Sequence, residues 1–326
     1  MSKALVLFSG GLDSCLAILI LLKQGIKVTA IRFITSFGCG SIDDISSFAD
    51  RCGFTLIERD IRAEFLRIVK KPTFGYGKNM NPCIDCKILM LREAAKMMTH
   101  FGADFIATGE VLGQRPMSQQ RHIFNLMEKQ TALKGYILRP LSARLLNPTI
   151  PEQKGLIDRE RLYGITGRGR KAQIALAEEF GLKKYPAPAG GCLLTEPNFA
   201  YRLRELLNYN SNPSIKELQS LRFGRHFRLP SGVKVIVGRN REDNEKLLSL
   251  KLDAIVMEPS DTEGPIVLLL GENIGEQDIL DSASLCARYS DSHGKDVLVK
   301  IQKPTNDVTL LTMRGKGLDN YMIKKN

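Results

Sequence analysis

The sequence predicts an α/β fold. A parallel sheet flanked by helices fills the N-terminal half, and a smaller C-terminal α+β domain follows. Three observations predict this. Apolar, β-rich segments at residues 4–8, 28–33, 55–58 and 104–108 alternate with helical patterns, which is the signature of parallel strands covered on both faces. The 326 residues are enough for two domains, each with its own core. The alternation then gives way to helix-like NFAYRLRELLNY, to LRFGRHFRL and to GVKVIVGRNREDNEKLLSL. These set the expected domains at residues 1–185 and 186–326.

Taken in order, the first strand runs into SGGLDS, residues 9–14, and a helix begins at Cys15. Adjacent glycines let a backbone turn sharply and approach a ligand. The N–H groups of the turn and the first helical residues then face one point, and the helix dipole adds to their attraction for an anion. Ser9 and Ser14 supply hydroxyl donors, and Asp13 can hold a cation or orient a water. An ordinary strand-to-helix turn, with Ser and Asp as caps, is the alternative. Ile42, Ile45, Phe48 and Cys52 share one helical face, with Ser41 and Asp44 placed to cap its start. Residues 63–69 and 84–98 are further helices. In parallel sheets ligands bind beyond the carboxyl ends of the strands, where SGGLDS lies.

Composition narrows the class. With 43% hydrophobic and 25% charged residues the chain reads as soluble and globular. The apolar run 15–22 is too short to span a bilayer, and no secretory signal is visible. Seven scattered cysteines fit reduced thiols in a cytoplasm better than a disulfide framework. The net charge of +12 is uneven: residues 51–250 hold 34 basic and 19 acidic side chains, whereas residues 251–300 hold 4 and 10. An excess confined to one region suggests a polyanionic partner, for which nucleic acid is the leading class. No basic amphipathic helix favours a membrane.

At this point the motifs carry a resemblance. SGGLDS after the first strand resembles the pyrophosphate-binding loop of the PP-loop ATP pyrophosphatases, of adenine nucleotide alpha hydrolase-like fold, which split ATP into AMP and pyrophosphate while adenylating a substrate. NPCIDCK, residues 81–87, and TGEVLGQRPMSQ, residues 108–119, resemble the tRNA thiouridine synthetases, the second being closest to the 4-thiouridine synthetases. The resemblance covers residues 1–195. The sequence starts at the first strand, without the long N-terminal RNA-binding extension of the best-known 4-thiouridine synthetases, so the target nucleotide stays open. The resemblance implies ATP and Mg²⁺ at Ser9, Gly10, Gly11, Asp13 and Ser14. It places adenine against the backbone near Ile31 to Phe33, and the adenylate beside Thr108 and Gly109. The chemistry implied is ATP-dependent tRNA sulfurtransfer, in which a uridine carbonyl oxygen is adenylated and replaced by sulfur.

The cysteines sort against that expectation. Cys15, Cys52 and Cys286 read as small buried hydrophobes, and Cys39 as part of a loop beside the nucleotide. Cys83 and Cys86 form a C-x-x-C at a helix start, which lowers a thiol's pKa and suits iron–sulfur ligation or sulfur exchange. Cys192 follows Gly190 and Gly191 in PAGGCLLTEP. Four cysteines at zinc-finger spacing are absent from the sequence. Two chemistries follow. Cys86 and Cys192 can act as a persulfide relay, or Cys83, Cys86 and Cys192 can ligate a [4Fe–4S] cluster whose fourth iron takes an exogenous sulfide. Cys83 has no role in a two-cysteine relay, so it favours the cluster. The sulfur donor is sulfide or a cysteine desulfurase product.

The remaining motifs concern RNA. GRGRK puts Arg168, Arg170 and Lys171 beside a helix start, as phosphate contacts or as plain solvated charge. Residues 185–191 read as a linker that returns Cys192 to the site. Arg222, Arg225, His226 and Arg228 interleave with Phe223 and Phe227, which suits phosphate contact with base stacking, or a β-strand with one basic face. Residues 215–305 resemble the RNA-binding module at the end of the NFACT proteins, which implies tRNA as partner. Two other classes stay open: a PP-loop ligase or amidase acting on a small acid, and a non-catalytic RNA-binding protein. An intact Asp13 argues against the last. The uridine, the ring position and the oligomeric state are left open.

Overall fold

The computed structural model describes residues 1–38, 45–183, 185, 192–294, 296–302, 307–313 and 317–324. The chain divides into two compact units, Met1–Thr195 and Glu196–Asn326. Ser41, Ile42 and Asp44 of the expected helix start, together with Cys39, Gly190 and Gly191, lie outside the described residues.

In the first unit β1 (Lys3–Leu7), β2 (Lys27–Ile34), β3 (Thr55–Asp60), β4 (Phe105–Thr108) and β5 (Ile137–Leu138) form one sheet in the order β3-β2-β1-β4-β5. Every pairing is parallel. The helices are α1 (Leu12–Lys23), α2 (Ile45–Cys52), α3 (Arg62–Lys70), α4 (Cys83–Phe101), α5 (Arg121–Thr131), α6 (Ile150–Gln153) and α7 (Lys171–Glu179). β1 sits in the middle and is apolar on both faces, as a doubly covered parallel strand must be. Val6 packs with Leu16 of α1, Phe48 of α2 and Leu176 of α7. Leu5 and Leu7 pack with Ile84, Ile88 and Leu91 of α4 and Met127 of α5. Each such side chain contributes roughly 1.5–3 kcal/mol by leaving water. The four expected strands are present. The fifth, β5, is only two residues long and has too little pattern to announce itself.

Parallel strands put their carboxyl ends on one edge. The SGGLDS loop follows β1, Thr108 ends β4, and Arg139 follows β5, so three sequence-distant segments meet there.

The second unit opens with α8 (Pro197–Tyr209) and α9 (Ile215–Ser220). An antiparallel sheet follows, of β6 (Arg225–Arg228), β7 (Lys234–Val237), β8 (Ile255–Pro259), β9 (Val267–Leu270), β10 (Asp296–Gln302) and β11 (Asp307–Met313), in the order β11-β10-β8-β9-β7-β6. α11 (Glu276–Arg288) contributes Ala283, Leu285 and Ala287 to a core with Val235, Val237, Val297 and Val299. α10 (Arg241–Ser249) contributes Leu247 to another, with Ile236 and Leu268. The expected base-stacking role of the aromatic residues is not met at Phe227: it is buried in the α11 core, and His226 is buried beside it in β6. Phe223 packs against the second core. The alternation in LRFGRHFRL is that of a strand with buried residues between charged ends.

Candidate active site

The loop after β1 is shaped for a ligand rather than capped by its own side chains. Gly10 takes a φ of 75°, a left-handed conformation open to glycine at no steric cost. α1 starts from Gly11 without a side-chain cap bond, so Ser and Asp do not cap it as the alternative reading held. The Ser14 N–H is taken by the Gly11 carbonyl at 3.0 Å and the Gly11 N–H by Ser9 Oγ at 3.4 Å, so the first-turn donors for an anion are those of Leu12 and Asp13. Ser14 Oγ donates to the Gly11 carbonyl at 2.8 Å and lies 3.3 Å from Ser9 Oγ, which gathers both hydroxyls at one point. The Ile31 carbonyl is taken by the Phe8 N–H at 2.8 Å, and Phe33 is partly buried. What the end of β2 offers a ligand is therefore backbone beyond Ile31.

Gly109 packs directly on this loop. A Cβ there would sit 2.5 Å from Asp13 C and 2.6 Å from both Asp13 O and Ser14 N. No backbone tolerates that approach, so glycine is required for β4 to lie against the start of α1. Gly109→Ala is expected to impose roughly 1–3 kcal/mol of strain, and so to weaken ATP binding about tenfold or more. Titration calorimetry reads the affinity, with thermal unfolding as control. Unchanged affinity would remove Gly109 from the site.

Asp13 is the charged centre. Gln114 Nε2 donates to its Oδ2 at 3.0 Å, whereas Oδ1 is buried without a partner. Burial pushes the carboxyl above its ordinary range, against the Gln114 hydrogen bond and the charges of Arg170 and Arg115. Gln173, fully buried in the first turn of α7, lies near enough to ease that ionisation, yet neither of its amide atoms meets hydrogen-bond geometry. The approach of α7 has a local cause. Gly167 N–H and Thr166 Oγ1 both donate to the Leu112 carbonyl, at 2.8 and 2.9 Å, which ties the GRGRK segment to the loop after β4. Arg170 is therefore drawn toward Asp13, while Arg168 and Lys171 stay exposed. Arg168 and Lys171 are thus the members of that expected RNA-binding set most open to solvent. Orphaned buried polar atoms, an uncapped helix start and two nearby guanidinium groups fit a polyphosphate with its cation.

The loop after β4 that holds Asp13 through Gln114 also reaches the thiols, through Ser118. Cys83 and Cys86 stand one turn apart at the start of α4, all three candidate cysteines are half-buried, and none forms a disulfide. Cys83 Sγ donates to Ser118 Oγ at 3.5 Å and Cys192 Sγ to the Phe37 carbonyl at 3.4 Å. Burial pushes the Cys86 thiol up, against the charges of Lys87 and Arg115, and any charge on Cys192 or Cys83 adds to the rise. The lowering expected from a helix start is thus outweighed by desolvation. Among the described residues no three His, Cys, Asp or Glu side chains are disposed to hold a metal ion. The three neighbouring donors are all thiols, the chemistry of an iron–sulfur site rather than a hard cation.

Sequence reading missed the residues that join these parts. Arg115 is an electrostatic neighbour of both Asp13 and Cys86. Glu110, buried just after Gly109, pairs with Lys87 at 3.7 Å and Arg139 at 3.4 Å, and Arg139 also reaches Glu128 at 3.0 Å. Burial opposes the charge on Glu110, but the two cations hold its carboxyl below the usual carboxylate range. Buried ion pairs contribute little net stability. This one fixes Lys87, and hence its neighbour Cys86, against the end of β4.

In the second unit Arg222 is exposed, and Arg225 lies 4.5 Å above the Tyr289 ring. Arg228 departs from the expectation of an open phosphate contact. Its Nε pairs with Glu205 at 2.5 Å, its Nη1 donates to the Gly232 carbonyl, and its guanidinium stacks on Tyr209. Glu205 also holds Lys234 at 3.3 Å, and burial pushes that ammonium down to about 8.

Comparison with known proteins agrees with this division. Residues 1–144 match the family model described as thiamine biosynthesis protein (ThiI), and residues 224–322 match that of the NFACT protein RNA binding domain. The tRNA-specific 2-thiouridylase MnmA of Nitratidesulfovibrio vulgaris is 35% identical over 113 residues, 32% of this chain and 32% of that protein. A probable tRNA sulfurtransferase of Thermococcus kodakarensis is 26% identical over 121 residues, 34% of this chain and 30% of the relative. The match thus spans about a third of the length of these curated relatives. Among solved structures, a 4-thiouridine synthetase–RNA complex with bound ATP aligns with a TM-score of 0.36 and 20% identity, over 57% of this chain and 55% of that one.

Proposed function

We propose that this chain, which carries a ThiI-family domain at residues 1–144 and an NFACT-type RNA-binding domain at residues 224–322, is an ATP-dependent tRNA thiouridine synthetase. One observation carries the reading: the loop after β4 bonds Asp13 through Gln114 Nε2 at 3.0 Å and Cys83 through Ser118 Oγ at 3.5 Å. This supports a phosphate-binding loop and thiols acting in one site, as adenylation followed by sulfur transfer requires.

A uracil carbonyl oxygen is a poor leaving group. In the reaction it attacks the α-phosphorus of ATP, forming a new P–O bond as the α–β anhydride breaks and pyrophosphate departs. A sulfur nucleophile then adds at the ring carbon and AMP leaves with the oxygen. The α1 start, Ser9 and Ser14 receive the departing pyrophosphate, and Arg170 and Arg115 face the charge that builds on it. Mg²⁺, held at Asp13, would supply further charge neutralisation. Gly109 lets the end of β4 lie close enough for its backbone to flank the adenylate, while the Thr108 side chain, 1% exposed, is turned to Glu110. A [4Fe–4S] cluster on Cys83, Cys86 and Cys192 would offer the sulfide an iron without a protein ligand. A relay through Cys86 and Cys192 is the second reading, since it needs only two of the three thiols.

The test is a single reaction. The protein, tRNA, ATP and sulfide should yield a thiolated uridine by nucleoside mass spectrometry, with AMP and pyrophosphate appearing only when RNA is present. AMP formed without RNA, on a small carboxylic acid, would favour the ligase reading instead. The affinity for tRNA is expected to fall steeply with salt, as counterion release requires. Salt-independent binding would remove the basic surface from RNA recognition.

A further inference from the structure

A cleft of about 830 Å³ lies on the β5 side of the first unit, between α5 and the segment from Ala143 to Glu152. Nothing in the chemistry above uses it. Its acids are spent: Glu128 pairs with Arg139 at 3.0 Å and Glu152 with Arg159 at 2.5 Å. Of its rim cations, Arg121 gives one Nη2 bond to the Leu145 carbonyl. No rim cation is matched by an acid: among the described residues Arg121, Lys129 and Lys134 have no carboxylate within ion-pair distance, and Lys129 and Lys134 are exposed. The walls include the half-buried Leu146 and the exposed Pro148.

The cleft is also built at its inner end. Arg139, 3% exposed, lines it with its guanidinium 3.8 Å over the Phe124 ring. Glu110 and Glu128 hold Nε and Nη1, and Nη2 is left buried without a partner. A buried guanidinium nitrogen with nothing to bond is costly unless something completes it. Glu110 directly follows Gly109, so the same ion pair borders the cleft and the nucleotide loop.

We propose that this cleft binds one nucleotide unit of single-stranded RNA, with the phosphate at the Arg121, Lys129 and Lys134 rim and the base against Leu146 and Pro148. This rests on RNA being the substrate, and it gives the first unit an RNA contact of its own. A cationic rim over apolar walls is what a phosphate joined to a flat base requires. A free mononucleotide carries the same chemistry, so the test must separate the two sources.

The full-length double variant Lys129→Glu/Lys134→Glu is compared with the parent for tRNA binding across a salt series. The expected result is a loss of about tenfold in tRNA affinity and a salt slope shallower by about one to two. ATP affinity and the unfolding temperature should not change, since both lysines are exposed. Equal affinity and slope in the two proteins would overturn the inference while leaving the RNA reading in place. A parent that binds no tRNA would overturn both. Uridine monophosphate that shields Lys129 and Lys134 from acetylation, where tRNA does not, would assign the cleft to a free nucleotide and overturn the RNA source.

Discussion

Asp13→Ala is expected to abolish the proposed RNA-dependent pyrophosphate release and to leave the fold intact. The carboxylate stands in the first turn of α1, with Oδ2 held by Gln114 at 3.0 Å and Oδ1 buried without a partner. Such an arrangement costs stability, because burying a charged oxygen without a bond is unfavourable. Under the proposed chemistry that cost is offset by the cation and phosphates that would complete the site. The conservative variant Asp13→Asn should therefore lose turnover yet unfold at a temperature equal to or above the parent's in Mg²⁺-free buffer. The sign with pH follows from the same burial. A carboxyl whose folded pKa is raised above its unfolded value favours the folded state less as pH rises from the unfolded value through the folded one. The parent's deficit relative to Asp13→Asn should thus be full above the folded pKa and close on acidification through that window. Ser14→Ala should also lose turnover, since its hydroxyl pairs with the Gly11 carbonyl and faces Ser9. Full turnover in both Asp13→Ala and Ser14→Ala would show that the loop does not handle pyrophosphate.

The site was legible in the sequence where one short segment does the work, and illegible where segments meet. SGGLDS announces its backbone because two glycines after an apolar strand have few other uses. The four longer strands are equally plain, since runs such as residues 4–8 must be buried on both faces. Gln173 and Arg170 are different. They lie far along the chain from Asp13 and reach it only because Gly167 and Thr166 bond to Leu112, a contact with no local signature. Arg170 therefore reads as one more basic residue in GRGRK. Arg139 and Glu110 are hidden for a related reason, as a buried ion pair looks like two unremarkable surface charges until the strands carrying them are paired. LRFGRHFRL shows the opposite error. Its aromatic residues serve the core, and Arg228 is balanced by Glu205 from a preceding helix, so a basic-aromatic alternation alone does not distinguish a stacking surface from a strand.

Loss of Cys86 should be as severe as loss of Asp13, and loss of Cys83 decides how sulfur is carried. Cys86→Ala is expected to abolish thiolation under either chemistry while ATP still binds, because the phosphate loop is built from separate residues. If Cys83, Cys86 and Cys192 hold a [4Fe–4S] cluster, protein purified without oxygen is brown and carries about four irons per chain. Cys83→Ala and Cys192→Ala then each remove both colour and thiolation, since two thiolates retain a cubane poorly. A persulfide relay gives a different pattern: colourless active protein, with Cys83→Ala nearly as active as the parent. The surroundings bear on this choice. A relay needs Cys86 as a thiolate, and burial opposes that form in the free protein, whereas binding to iron deprotonates a thiol outright. Cys83 donates to Ser118 Oγ, so Ser118→Ala supplies a control that disturbs the thiol's setting and keeps its sulfur. It should retain iron and most of the activity under the cluster chemistry. Activity in iron-free parent protein would end the cluster reading and leave Cys86 and Cys192 as the pair that passes sulfur to the adenylated base.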